Sequence, residues 1–334
     1  LVGRAFIRSM ADFLALARLL ILLVFIWLPF ALLETKTDIP LILNFIEGLP
    51  GVSTFANVDK ETRMGLERVQ LVFAHQIHMG LFTSIIFSLV FVGFRGVYGD
   101  VKRWLVAAAT GLLVFLSLSS GAFLALILQF GIIFWHFVFR NNNRKWSILL
   151  GLFALAYVTI DLLSNRTPIR VFMSYATFSP HTAYWRGLIF EYGMQNVWAN
   201  PIFGLGLRSW VRPGFMNSGS MDNFWLVMAV RYGIPGFLLI TIAYADIVRR
   251  IGIRDFRADP AVSQMRLAWM FTFMGLSFTL CTVHIWSSIF SFVFMMLGAG
   301  VWMITHTPEP GGMVPAAAPA GRQPLRYARE GVAQ

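Results

Sequence analysis

Eight runs of mainly apolar residues dominate this chain of 334 residues, near 13–33, 74–94, 104–119, 121–139, 147–163, 223–248, 267–282 and 284–304. Crossing a bilayer core about 30 Å thick takes about 20 helical residues at a rise of about 1.5 Å each. Inside that core no water satisfies backbone N–H and C=O groups, so a spanning segment of this kind must close its own hydrogen bonds as a helix. The expected fold is therefore all-α, a polytopic transmembrane helix bundle of about eight spans. Two of the runs are short, which calls for tilting or a locally thinned bilayer. Composition agrees, since 57% apolar and 13% charged residues lie far outside the range of soluble domains.

The formal charge of +11 is not spread over one polar face but sits in short clusters between the runs, which argues against a nucleic-acid partner. Arg4 and Arg8, then Arg95, Lys102 and Arg103, then Arg140, Arg144 and Lys145, then Arg249, Arg250, Arg254, Arg257 and Arg266 all fall on one set of alternate connections. By the positive-inside rule that side is cytoplasmic. Facing outward are the turns at Ser117 to Gly121 and Cys281 to His284 and two long loops, 34–73 and 164–222. The segment 308–334, rich in Pro, Ala and Gly, is expected to be a disordered cytoplasmic tail, leaving 1–307 as the transmembrane domain. The chain begins at Leu1 rather than Met and no signal peptide precedes its first run, so upstream spans are expected. The single cysteine, Cys281, excludes an internal disulfide and cannot by itself make a thiolate metal site.

Residue type in the outer loops points to chemistry. The 164–222 loop carries Arg166, Arg170, Arg186, Arg208 and Arg212 and no lysine, and the 34–73 loop adds Arg63 and Arg68. Arginine supplies a permanently charged planar fork that grips phosphate or carboxylate with two bonds at once. Lipid headgroups are one partner for Arg166, Arg170 and Arg212. Arg231 is different, because it lies inside an apolar run, where an arginine costs roughly 2.5–3.5 kcal/mol and normally faces protein or water. Between these features, "NPIFGLGLRSW" (Asn200 to Trp210) places Gly204 and Gly206 where backbone can approach closely, ahead of Arg208.

Four stretches occur in an order that resembles the O-antigen ligase and O-antigen polymerase superfamily. They are "FAHQIHMGLF" (73–82), "SLSSGAFLAL" (117–126), "YWRGLIFEYGMQNVWANPIFGLG" (184–206) and "MDNFWLVMAVRYGIPG" (221–236). The resemblance spans about 60–300, and the acidic Asp222-Asn223 pair, where many ligases have a histidine, is similar to the exopolysaccharide-polymerisation (succinoglycan-type) branch. It implies a C-type glycosyltransferase-like fold in the bacterial inner membrane and a metal-independent enzyme without cofactors. The implied reaction transfers a glycan from a polyprenyl diphosphate carrier to an acceptor glycan or lipid at the periplasmic face. A polysaccharide co-polymerase that regulates chain length is a further implied partner, besides the bilayer itself. A flippase or exporter of lipid-linked glycan, or a non-catalytic assembly component, remains the alternative.

For such a transfer the departing diphosphate needs cations and the acceptor hydroxyl needs a base. Arg186, Arg208 and Arg231 are the first candidates for the cations, then Arg63 and Arg68. Asp222 or Glu191 is the candidate base, with His181 behind them. Asp222 also suits the N-cap of the following helix, and Glu191 suits a structural pairing with Arg186. Asn223, His75 and Trp185 are further candidates for contact with sugar or diphosphate. His75 and His78 sit three apart with no third ligand at a convincing spacing. Trp185, Trp198, Trp210 and Trp225 fit either sugar stacking or an interfacial aromatic belt.

Overall fold

The computed structural model describes residues 1–37, 39–54, 62–165, 167–175 and 180–307, with backbone alone at 169, 170, 173, 175 and 180. The expected tail at 308–334, Arg166 and the Arg170 side chain lie outside the described residues. The described chain is helical: α1 (Val2–Phe6), α2 (Met10–Thr37), α3 (Leu41–Glu47), α4 (Gln76–Phe91), α5 (Asp100–Leu116), α6 (Ser120–Val138) and α7 (Lys145–Leu163) come first. Then follow α8 (Pro168–Tyr175), α9 (Pro180–Ala199), α10 (Phe224–Ile253), α11 (Pro260–Thr279), α12 (Ser287–Ala299) and α13 (Trp302–Thr305). Each of the eight expected runs coincides with a helix. Five stretches are long and apolar enough to cross a membrane, namely α2, α6, α7, α10 and residues 287–305. Helices α4 and α5 are shorter, at 16 and 17 residues, and α11 carries Gln264 and Arg266 in its first turns, which lowers its apolarity.

Helix α4 is the axis of the bundle. Nearly all of it is buried, and α2, α5, α6, α11 and α12 pack around it. Close packing needs small residues: a Cβ on Gly80 would come within 2.6 Å of the Ala122 side chain in α6. Polar ties lock the axis. Gln129 of α6 accepts from the Ser88 hydroxyl at 2.5 Å and donates to the Ser84 carbonyl at 2.9 Å, and the Thr272 hydroxyl of α11 donates to the Ile85 carbonyl at 3.4 Å. In contrast, no residue of α7 is buried.

The links sort into two ends. At one end Arg254 donates to the His306 carbonyl, His306 lies 3.3 Å from Asp259, and Arg103 donates to the Phe91 carbonyl at 2.7 Å. This is the end that carries the basic clusters. At the other end gather residues 62–75, the 117–119 turn, α8 and α9, and the 280–286 link. Arg63 donates to the Leu118 carbonyl there, and the Phe224 N–H donates to the carbonyls of Leu280 and Val283.

Helix α10 is broken. Gly233 sits at φ +69°, and Pro235 follows it. The break frees backbone groups that the bilayer would leave unpaired, and the 200–206 loop takes them up. Leu205 N–H donates to the Val230 carbonyl at 2.7 Å, Gly206 N–H to the Arg231 carbonyl at 2.9 Å, and Ile234 N–H to the Pro201 carbonyl at 2.7 Å. Irregular backbone at this depth survives only with such internal partners. The two backbones touch because Gly204 and Gly233 lack side chains; a Cβ on Gly204 would lie 2.5 Å from the Gly233 nitrogen and 2.6 Å from the Arg231 carbonyl. The stretch whose glycines were expected to allow close backbone approach is thus the plug of a helix break, and it fixes Arg231 at the last turn before that break.

Gly233→Ala places a side chain at a left-handed φ, which costs about 1–2 kcal/mol, and drives it into the Ile202 carbonyl. The variant is expected to unfold at a lower temperature in detergent. Gly151→Ala on α7, where a Cβ meets nothing within 4 Å, should stay within about 1 kcal/mol of wild type.

Candidate active site

The segment bearing Arg63 and Arg68 is pinned from below by α2. The buried Glu34 carboxylate accepts from the Gln70 N–H at 2.7 Å and the Leu71 N–H at 3.0 Å. Beside it the Thr35 hydroxyl donates to the Glu67 carbonyl at 2.9 Å. Two backbone bonds between Arg63 and Leu66 close a tight turn, with Met64 and Gly65 at positive φ. Arg63 then donates to the Leu118 carbonyl at 3.1 Å and Arg68 to the Ser117 carbonyl at 3.4 Å, so both side chains are held at the Ser-rich turn. Both also lie within electrostatic reach of His75, the N-cap residue of α4.

Opposite this loop, α9 delivers Arg186. Its side chain is 6% exposed, and its Nε lies 4.0 Å from Asp222 Oδ2. Neither Nε nor Nη1 makes a hydrogen bond. Burial lowers the Arg186 pKa below the usual arginine value; Asp222 opposes that shift and Arg63 adds to it. Asp222 keeps 39% of its side-chain exposure, yet surrounding protein encloses it on its other sides. That enclosure raises its pKa above the ordinary carboxylate value, with Arg186 pulling the other way. Desolvation outweighs the long 4.0 Å pairing, so the net direction for Asp222 is upward.

Asp222 is not the cap of α10. Asn223 is, with its side-chain oxygen accepting from the Leu226 N–H at 3.0 Å. The capping role is thereby filled, and the Asp222 carboxylate is left facing Arg186. Asn223, expected to touch substrate, spends its oxygen on the helix.

The third contributor is the 280–286 link, tied to the start of α10 through Phe224. It carries His284, whose ring stacks on Phe224 at 6.4 Å. Burial, and then Arg231, push the His284 pKa down to about 4, so its imidazole is neutral at physiological pH. His78 lies within electrostatic reach of both His75 and His284. The neighbours form one continuous set: Asp222, Arg186, Arg63, His75 with Arg68, His78, His284 and Arg231. Sequence reasoning named most of these but missed His284 as a site residue. Its only signal was a histidine in a short turn between apolar runs.

The other expected residues stand apart from this set. Glu191 lies on a different face of α9 from Arg186 and lines a pocket of about 470 Å³ with Asp161, Gln195 and Trp198. His181 accepts from the Trp185 indole N–H at 2.8 Å, so the two candidates engage each other on the exposed side of the start of α9. The Arg208 and Arg231 side chains are exposed, and only Arg231 has a charge link to the set. Arg212, by contrast, is tied to the Met216 carbonyl at 2.9 Å. Next to Asn223 opens a larger cavity of about 810 Å³, walled by apolar side chains of α7 to α10 including Phe153, Tyr157, Trp225, Leu226 and Phe237. Among the described residues no three His, Cys, Asp or Glu side chains gather as a metal site.

A comparison with curated proteins finds no match. The family comparison does: residues 105–241, from α5 into α10, match the O-antigen ligase family. The matched region holds Arg186, Asp222 and Arg231 and stops short of His284. The match supports, for this region, the O-antigen ligase and polymerase superfamily, a family of glycosyltransferase-like membrane enzymes that act on lipid-linked polysaccharide.

Proposed function

We propose that the chain transfers or polymerises polyprenyl-diphosphate-linked oligosaccharide onto an acceptor hydroxyl, at the periplasmic face of the bacterial inner membrane, in exopolysaccharide or O-antigen synthesis. The observation that carries this reading is Arg186, buried to 6% exposure with two guanidinium nitrogens unbonded, beside Asp222 and within reach of Arg63. A buried guanidinium with unused donors is suited to a diphosphate, and its low-dielectric surroundings strengthen the attraction.

In this reading the acceptor oxygen attacks C1 of the lipid-linked sugar. The bond between C1 and the phosphate oxygen breaks, and its electron pair leaves with the polyprenyl diphosphate. Arg186 takes up that developing charge, with Arg63, Arg68 and Arg231 around it and exposed Arg208 reaching the substrate from the loop. Asp222 accepts the acceptor proton from the face opposite the leaving group, as a base does in inverting sugar chemistry. Glu191, His181 and Trp185 stand further off and serve glycan contact or the shape of α9. The apolar cavity beside Asn223 suits an isoprenoid chain, and the arginine-rich end suits its diphosphate. No cofactor or metal enters the scheme, and a chain-length-regulating co-polymerase is the partner it calls for.

Purified protein given a polyprenyl-diphosphate oligosaccharide in EDTA should lengthen the glycan, whereas a flippase would leave chain length unchanged. Arg186→Ala and Arg231→Ala are expected to cut that rate by about 10²–10³-fold, the scale of losing one preorganised charge-stabilising donor, with expression unaltered. Wild-type rates in both would remove the arginine clamp. Because burial raises the Asp222 pKa, its basic form predominates only above that raised value. The rate should therefore fall as pH drops, with a midpoint above the ordinary carboxylate range, and Asp222→Asn should be inactive across the profile.

A further inference from the structure

The set described above holds two kinds of polar group. Its arginines are donors only, whereas its imidazoles, His78 fully buried and His75 and His284 partly so, form a separate knot. The His78 ring lies 4.0 Å from Trp286, His284 lies 5.8 Å from Trp286, and His75 lies 5.9 Å from the same indole. His78 is fully buried, and neither of its ring nitrogens finds a hydrogen-bond partner; His284 Nδ1 finds none either. Buried polar atoms are nearly always bonded, so three unbonded ring nitrogens around one indole call for an explanation.

The backbone supports the same place. Ser287, directly after Trp286, is held at φ +50°, a conformation that residues with a side chain rarely adopt. The link is clamped on its other side, where Phe224 N–H donates to the carbonyls of Leu280 and Val283. Strain retained next to unsatisfied polar atoms is characteristic of a binding site rather than of packing. Trp286 itself is exposed, so the indole side of the knot opens outward while His78 lies fully buried behind it.

The geometry points to a pyranose-binding subsite formed by His78, His284 and the Trp286 ring, with His75 at its edge, that holds a sugar of the lipid-linked substrate. A neutral imidazole offers one donor and one acceptor, which matches a hydroxyl group; a phosphate offers acceptors alone and is served by the arginines. The indole supplies an apolar face for the C–H side of the ring. Burial keeps His75 and His284 neutral, reinforced by Arg68 and Arg63 at His75 and by Arg231 at His284. The subsite rests on the glycosyltransferase reading and divides its labour: guanidinium groups hold the diphosphate, and imidazoles with an indole select the sugar.

The test compares the full chain in nanodiscs with two probes, a polyprenyl-diphosphate oligosaccharide and bare polyprenyl diphosphate. His78→Phe removes two unbonded buried nitrogens, so its melting temperature is expected to hold or rise. Its affinity for the oligosaccharide-bearing lipid should fall at least tenfold, and its affinity for the bare lipid should not change. Trp286→Leu should lose the same sugar-dependent increment, and His78→Gln, which keeps a donor and an acceptor, should recover most of it. Equal loss for both probes, no loss for either, or a lowered melting temperature that tracks the loss would overturn the subsite. Wild-type protein that binds both lipids but never lengthens a glycan would instead sink the glycosyltransferase reading, while the sugar-dependent difference in binding still judges the pocket.

Discussion

The Arg186 guanidinium and the Asp222 carboxylate, 4.0 Å apart at the mouth of the bundle, set the terms for everything around them. A buried cation normally requires a close, well-bonded anion, because desolvation costs several kcal/mol per ion after relaxation. Here the pairing is long, two guanidinium nitrogens are unbonded, and Arg63 adds like charge. The resting protein therefore holds an excess of positive potential in a low-dielectric place. A dianionic group entering that place relieves repulsion as well as gaining attraction, so the strongest binding falls where negative charge is greatest. In a transfer reaction that point is the departing diphosphate, not the intact ester.

Holding such a charge excess together is a task for neutral backbone. Glu34 spends its carboxylate on the N–H groups of Gln70 and Leu71, which fixes the loop of Arg63 and Arg68. Asn223 caps α10 with an amide where aspartate would also have served, so the cap adds no charge. The plug of 201–206 into the break of α10 uses carbonyls and N–H groups alone.

The spans were legible because apolar runs near the thickness of a bilayer have one solution for their backbone, and every run coincides with a helix. Arg186 and Asp222 were legible as residue types in the wrong company for a membrane loop. What failed to show was angular and long-range. Glu191 follows Arg186 by five residues, about 140° around a helix, which turns it toward a different pocket. The choice between Asp222 and Asn223 as cap turns on one residue of register, finer than propensity resolves. His78 and His284 are separated by about 200 positions, and only the packing of α4 against the 280–286 link brings their rings to the same indole.

Helix α7 forms one wall of the large apolar cavity while giving none of its residues to the core. Swinging that wall outward loosens only a few ring contacts, such as Trp146 on Phe271 and Phe153 on Phe278, so much of the work of widening the cavity is done against surrounding lipid. On the proposed reading, the girth of what the cavity accepts is then tuned by the membrane's own stiffness and thickness, and bilayer composition becomes a determinant of substrate entry.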